Sequence, residues 1–249
     1  MNPRIAIPLP HSTNQEYSER VLPQYEQAVR EAGGEPVRIP LDQAPAEQMK
    51  VIKGCDGVLL PGSRADVDPQ RYGVERDPRT NPADPLRDAA DRLLLRDAHS
   101  MRKPLLGICY GLQSLNVYRK GTLRQHIESF IDHTDRDATH VVRIEPTSLL
   151  AHFLESALPS GGEPALVVNT SHHQAAATVG NDLRIAAKAP DGVIEALEGT
   201  SPEHFVLGVQ WHPERSLNDQ ASRAIFLALV EAARARHPEL KGEFESMPK

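Results

Sequence analysis

The chain has 249 residues, 39% of them hydrophobic and 25% charged, the balance of a globular protein that buries its own core. Its 28 basic and 34 acidic side chains leave a net charge of −6, which argues against a nucleic-acid partner or an anionic-membrane surface. Two cysteines, Cys55 and Cys109, are too few for a disulfide framework and suit a reducing compartment. Residues 1–11 lack the apolar core of a signal peptide, and no apolar stretch is long enough for a bilayer. A cytoplasmic location is expected.

The apolar run at residues 5–9 reads as a buried strand, followed by a helix over 17–32 that ends at Gly33-Gly34. Pro23 suggests that this helix properly starts near Leu22, with the proline in its first turn. A strand at 37–41, a short helix at 46–53 and a strand at 57–60 come next. Ala90, Leu93, Leu94 and Ala98 lie at helical spacing within a helix over 85–101. A strand at 105–109 then leads into a helix over 111–118. This alternation implies a mostly parallel sheet covered on both faces. Beyond it, residues 140–144, 165–169, 183–187, 193–197 and 206–211 read as strands with little helix between them. A helix over 218–235, with Asn218 as its N-cap, closes the pattern. There is no internal repeat or linker, so residues 1–249 are expected to form a single domain.

Residues 63–84 hold Pro69, Pro78 and Pro82 and show no periodicity. A loop of that length is either a solvated excursion or a functional lid. It follows the third strand, at the carboxyl end of a parallel sheet where ligands bind, which favours the lid.

Three motifs carry the chemistry. Gly107-Ile108-Cys109-Tyr110-Gly111 lies between a strand and a helix and has the pattern of a nucleophile elbow with cysteine as the nucleophile. The helix N-terminus that follows favours a reactive thiolate. Taken alone, the pattern also fits a core cysteine between two tolerated glycines. The second motif, Gly208-Val209-Gln210-Trp211-His212-Pro213-Glu214, ends a strand. Residues two apart in extended chain share a side, so Glu214 can orient His212 as the base that a nucleophilic cysteine needs. Its bland reading is a strand-end histidine beside a solvated carboxylate. The third, Leu59-Leu60-Pro61-Gly62-Ser63, ends the third strand, where backbone N–H groups can approach a ligand. With the N–H of Tyr110 it offers an oxyanion hole. Alone it is a turn.

In this order the motifs resemble the class I glutamine amidotransferase-like superfamily, and within it the stand-alone gamma-glutamyl-gamma-aminobutyrate hydrolases. Further stretches carry the same resemblance, among them Gln113-Ser114-Leu115-Asn116-Val117, Asn169-Thr170-Ser171-His172-His173-Gln174 and Pro190-Asp191-Gly192. The resemblance implies a flavodoxin-like α/β three-layer sandwich and a Cys109–His212–Glu214 triad. It implies backbone oxyanion donors at Gly62, Ser63 and Tyr110, and substrate contacts from Gln113, Ser171 and His172. The implied reaction is hydrolysis of a small gamma-glutamyl amide through a thioester on Cys109, with no cofactor. The implied partner is a small-molecule substrate, with a homodimer left open. Polyamine catabolism is one setting in which such an enzyme works. Ser63 stands where many relatives have a second glycine, Tyr110 where that branch often has arginine, and Arg119-Lys120 where small residues are usual. Of these, Tyr110 bears on the substrate rather than on catalysis, because an oxyanion hole asks only for its N–H.

His172-His173 lacks the spacing of a metal motif, and no metal site is expected. His126, His133 and His140 recur every seven residues across a stretch that reads as loop, which looks like coincidence. No phosphate-binding or dinucleotide glycine motif is present. Cys55 is expected to be an inert buried thiol. Arg64 and Arg71, in the 63–84 segment, are candidates to pair with a carboxylate on the leaving amine, or else are solvated charges. Two other functions stay open: an ammonia-supplying glutaminase subunit, and a non-catalytic binding protein on the same fold.

Overall fold

Five short segments build a parallel ladder, in the spatial order β2 (Glu35–Ile39), β1 (Arg4–Pro8), β3 (Gly57–Leu60), β4 (Leu105–Ile108) and β11 (Val206–Val209). They belong to a computed structural model that describes residues 2–158 and 163–246, with side chains described up to residue 236. Every residue of β3, β4 and β11 is buried, which is why these strands read as unbroken apolar runs rather than alternating ones. Four antiparallel strands continue the sheet beyond β11: β10 (Ile194–Gly199), β9 (Leu183–Lys188), β6 (Thr139–Ile144) and β7 (Ala165–Asn169). A separate pair joins β5 (Leu123–Arg124) to β8 (Ala175–Ala176).

Helices cover both faces. On one, α1 (Gln15–Glu31) and α6 (Gln220–Ser246) pack Val29, Phe226 and Leu229 against Ile7, Leu59 and Leu106, with the short α5 (Leu149–Leu154) beside them. On the other, α2 (Pro45–Lys53), α3 (Pro85–Ser100) and α4 (Tyr110–Tyr118) bring Ile52, Leu94, Leu112 and Leu115 onto Val58, Leu60 and Leu105. Each such fully buried aliphatic side chain stabilises the fold by roughly 1.5–3 kcal/mol. The result is a flavodoxin-like α/β sandwich with a mixed, mostly parallel centre. No helix among the described residues is long and apolar enough to cross a membrane.

Some expectations need correction. Helix α1 starts at Gln15, not near Leu22, because the Asn14 side chain accepts the Tyr17 N–H and caps it there. Pro23 lies inside the helix, where burial of Val21, Leu22, Tyr25 and Val29 outweighs the lost backbone hydrogen bond. Asp219, not Asn218, stands at the start of α6, its Oδ2 accepting the Ser222 N–H at 2.9 Å. Strand β11 ends at Val209, and residues 213–215 form a 3₁₀ turn. Helix α4 closes with Lys120 at φ +72°, a position that favours glycine, while the Gly121 N–H returns to the Asn116 carbonyl. Arg119 is held there by Asp182 at 3.3 Å.

Candidate active site

Cys109 sits between β4 and α4 at φ +52° and ψ −105°, a conformation that costs an L-residue on the order of 1–3 kcal/mol. The turn is held on both sides, since the Cys109 N–H donates to Val209 and the Cys109 carbonyl accepts the Gln113 N–H. The flanking glycines have steric causes. A Cβ on Gly111 would lie 2.2 Å from the Leu60 carbonyl oxygen, and one on Gly107 would lie 2.7 Å from the Gly111 backbone. The elbow therefore fits against β3 only with hydrogen at both positions.

β11 lies beside β4 and delivers His212 next to Cys109. The two strands pair Gly208 with Gly107 and Val209 with Ile108. His212 Nδ1 meets Glu214 Oε1 at 2.7 Å, and Cys109 lies on the other side as the ring's second electrostatic partner. This pairing arises from the 3₁₀ turn at residues 213–215, not from the extended chain that the sequence suggested. Burial works against the charged His212 ring, but the Glu214 carboxylate and Cys109 outweigh it and push its pKa up to about 9. Burial likewise opposes the Glu214 carboxylate, and the facing His212 reverses it, holding the carboxyl below its ordinary range. Asn169, at the end of β7, clamps the backbone of His212: its Oδ1 accepts the His212 N–H at 2.9 Å and its Nδ2 donates to the His212 carbonyl at 2.8 Å. β7 is four strand spacings from β11, roughly 19 Å on a flat sheet, so the sheet must curl for this contact to form.

The peptide unit between Pro61 and Gly62 is fixed at both ends. Arg87 Nη2 donates to the Pro61 carbonyl at 2.6 Å, and the Gly62 N–H donates to the Tyr25 hydroxyl at 3.1 Å. Gly62 therefore departs from its expected role, because its N–H is already spent on Tyr25. The N–H groups of Ser63 and Tyr110 find no acceptor among the described residues, so both remain able to donate to a ligand. The Tyr110 side chain faces inward, with the Arg87 guanidinium 4.9 Å above its ring.

A cleft of about 300 Å³ opens over Cys109. Gln113, Ser171 and His172 all line it. Gln113 is oriented by Nε2 contacts to the Gln174 carbonyl and to Gln210. The His172 ring is committed to buried partners: Nδ1 to the Gln174 carbonyl at 3.0 Å, and Nε2 toward Glu195. Four arginines, Arg20, Arg64, Arg136 and Arg215, line the cleft against one acid, Asp66, which pairs with His173 at 2.9 Å. Residues 63–66 and Asn81 bring both ends of the long loop to the cleft, and Asn81 also bonds His173. Arg64 lies over the Tyr17 ring at the cleft, whereas Arg71 is paired with Asp88 and does not line it. Cys55 is buried, and that burial pushes its thiol up to about 11. His133 and His140 do come together, with rings 4.8 Å apart, while the His126 ring lies beside that of His173. Tyr25, Arg87 and Asn169 were not singled out from the sequence; only Asn169 had a signal, as the first residue of its motif.

An elbow cysteine facing a histidine–carboxylate pair on this sandwich defines a class I glutamine amidotransferase-like protein. The chain belongs to the peptidase C26 family, whose model matches residues 5–214, and so to a family of amide-bond hydrolases. It is 31% identical over 246 residues to the gamma-glutamyl-gamma-aminobutyrate hydrolase of Escherichia coli K12, covering 93% of each chain. A Mycobacterium tuberculosis protein, named only provisionally as a glutamine amidotransferase, is 39% identical over 215 residues, spanning 84% of this chain and 66% of that protein. Among solved structures, the glutaminase domain of Trypanosoma brucei CTPS with bound acivicin shares the fold at a TM-score of 0.62 and 17% identity, covering 94% of both.

Proposed function

We propose that the chain is a stand-alone cysteine hydrolase of small gamma-glutamyl amides, with Cys109, His212 and Glu214 as its catalytic triad. The observation that carries this reading is Cys109, strained on its elbow beside a histidine that Glu214 holds at 2.7 Å. Cys109 Sγ attacks the gamma-carbonyl carbon, and the oxyanion is received by the Ser63 and Tyr110 N–H groups. His212 gives its proton to the leaving amine as the C–N bond breaks, leaving a gamma-glutamyl thioester on Cys109. It then takes a proton from water, which attacks the thioester, releases glutamate and restores the thiol.

The four arginines of the cleft suit a substrate with more than one carboxylate, such as a gamma-glutamyl amino acid. The long loop, anchored to the cleft wall through Asp66 and Asn81, sits where it can select the leaving group. Both features favour a solitary hydrolase over an ammonia-supplying subunit. The purified chain, without partner or ATP, is expected to cleave gamma-glutamyl-gamma-aminobutyrate or a related amide with a higher kcat/KM than glutamine. The reading fails if glutamine is the best substrate and a synthetase accelerates its hydrolysis.

The raised His212 pKa adds a pH signature. The imidazolium is needed to protonate the leaving amine, so kcat/KM should fall as pH rises through about 9. Glu214→Gln removes the attraction that holds this proton, so the alkaline limb should move to lower pH. A rate profile on both proteins checks this, and an unmoved limb would mean that Glu214 does not act on the base.

A further inference from the structure

His172 lines the cleft with one edge and turns the other into a buried cluster. Glu195, the second residue of β10, is fully buried and faces three histidines. His133 Nδ1 lies 3.4 Å, His140 Nε2 3.3 Å and His172 Nε2 3.5 Å from its Oε1. These separations are too long for good hydrogen bonds, and none of these four atoms has a hydrogen-bond partner among the described residues.

The outer nitrogens of two of these rings settle which inner ones are bare. His133 Nε2 meets Asp191 Oδ2 at 2.7 Å, and the same carboxylate also accepts from Ser129 and from the Val193 N–H. A carboxylate so engaged is an acceptor, so His133 Nε2 carries the hydrogen. His172 Nδ1 faces the Gln174 carbonyl at 3.0 Å, which only accepts, so Nδ1 carries the hydrogen there. In the neutral rings, His133 Nδ1 and His172 Nε2 are then lone pairs aimed at a carboxylate oxygen. Three electron-rich atoms within 4.8 Å of one another, shut away from water, require a positive charge between them.

We propose that His133 Nδ1, His172 Nε2 and Glu195 Oε1 bind a divalent transition metal, zinc by the chemistry of the donor set; His140 Nε2 faces the same carboxylate oxygen but falls outside the group whose atoms all lie within 4.8 Å of one another. The distances from Glu195 fit, since a tetrahedron with metal–ligand bonds of about 2.05 Å has edges of about 3.3 Å. The second shell fits as well. Metal-bound histidines give their other N–H to a carboxylate or a backbone carbonyl, the partners that His133 and His172 have. The site is structural. It joins the loop before β6, the segment after β7 and strand β10, and so fixes the Ser171–Gln174 wall of the cleft. It does not depend on the function proposed above.

The test is metal analysis of the full chain, purified in chelator-treated buffer without added metal. About one zinc per chain is expected, together with a higher unfolding temperature in the zinc-loaded than in the metal-stripped protein. Cobalt(II) added to the stripped protein should give the visible absorption of a tetrahedral N/O site. Glu195→Gln and His133→Ala should lose both the zinc and the cobalt spectrum. Should either variant fail to fold, the wild-type cobalt titration still decides. Wild-type protein that carries no zinc and takes up no cobalt overturns the site, and folded variants that keep the metal undiminished overturn it too. In either case the cluster would be held by protons alone, with imidazolium rings against Glu195.

Discussion

Cys109→Ala is expected to lower kcat/KM on a gamma-glutamyl amide by roughly 10⁴ or more while leaving the unfolding temperature close to that of the wild type. The size of the loss follows from covalent chemistry: without Sγ no acyl-enzyme forms, and no serine or threonine occupies the same turn. Cys109→Gly separates chemistry from strain. It removes the same nucleophile, and at φ +52° and ψ −105° glycine avoids a penalty that alanine keeps. Cys109→Gly should therefore be as inactive as Cys109→Ala and more stable by about 1 kcal/mol. Steady-state kinetics with thermal unfolding checks both parts. Activity within tenfold of wild type in either variant would sink the assignment of the nucleophile.

Arg87→Met carries the largest expected effect on stability. Arg87 is fully buried and does three things at once: it pairs with Asp91 at 2.7 Å, donates to the Pro10 and Pro61 carbonyls, and lies over Tyr110. Removing it leaves the Asp91 carboxylate buried without its partner, which costs about 3–5 kcal/mol. Replacing both members should recover most of that, because a well-packed apolar pair of similar volume often does as well as a buried ion pair. Arg87→Met with Asp91→Leu is thus expected to unfold near the wild-type midpoint yet stay slow, since the Pro61 carbonyl has lost its anchor and the Ser63 N–H its fixed aim. Chemical denaturation and kcat on the single and double variants check this. A double variant with full activity would mean that the Pro61–Gly62 peptide needs no anchor.

The central parallel strands were legible because burial on both faces makes β3, β4 and β11 continuous apolar runs with turn residues at their ends. The elbow was legible for a related reason, since two glycines around a nucleophile are a local steric demand. What escaped notice depends on contacts far apart in sequence. β5 and β8 are two residues each and exist only because they pair across residues 123–176. Pro23 misled because its local penalty is visible and the core contacts that offset it are not. The Tyr25 hydroxyl takes the Gly62 N–H from 37 positions away, so no reading of the Pro61-Gly62-Ser63 turn could assign that N–H correctly. The heptad spacing of His133 and His140 had no helical stretch to explain it; they meet because β6 and the loop before it converge on Glu195.

The in-register pairing of β4 with β11 also shapes how the protein can change over time. Cys109 and His212 follow directly on the two strands at the centre of the nine-stranded sheet, whose amides should exchange with solvent only when the whole chain unfolds. Part of the cleft wall comes instead from residues 63–84 and from Thr134 and Arg136, which lie in loops outside the sheet. Insertions, deletions and charge swaps in those loops can reshape the cleft without disturbing Cys109 and His212. A lineage built on this plan can exchange one amide for another by small steps, each intermediate still an active enzyme.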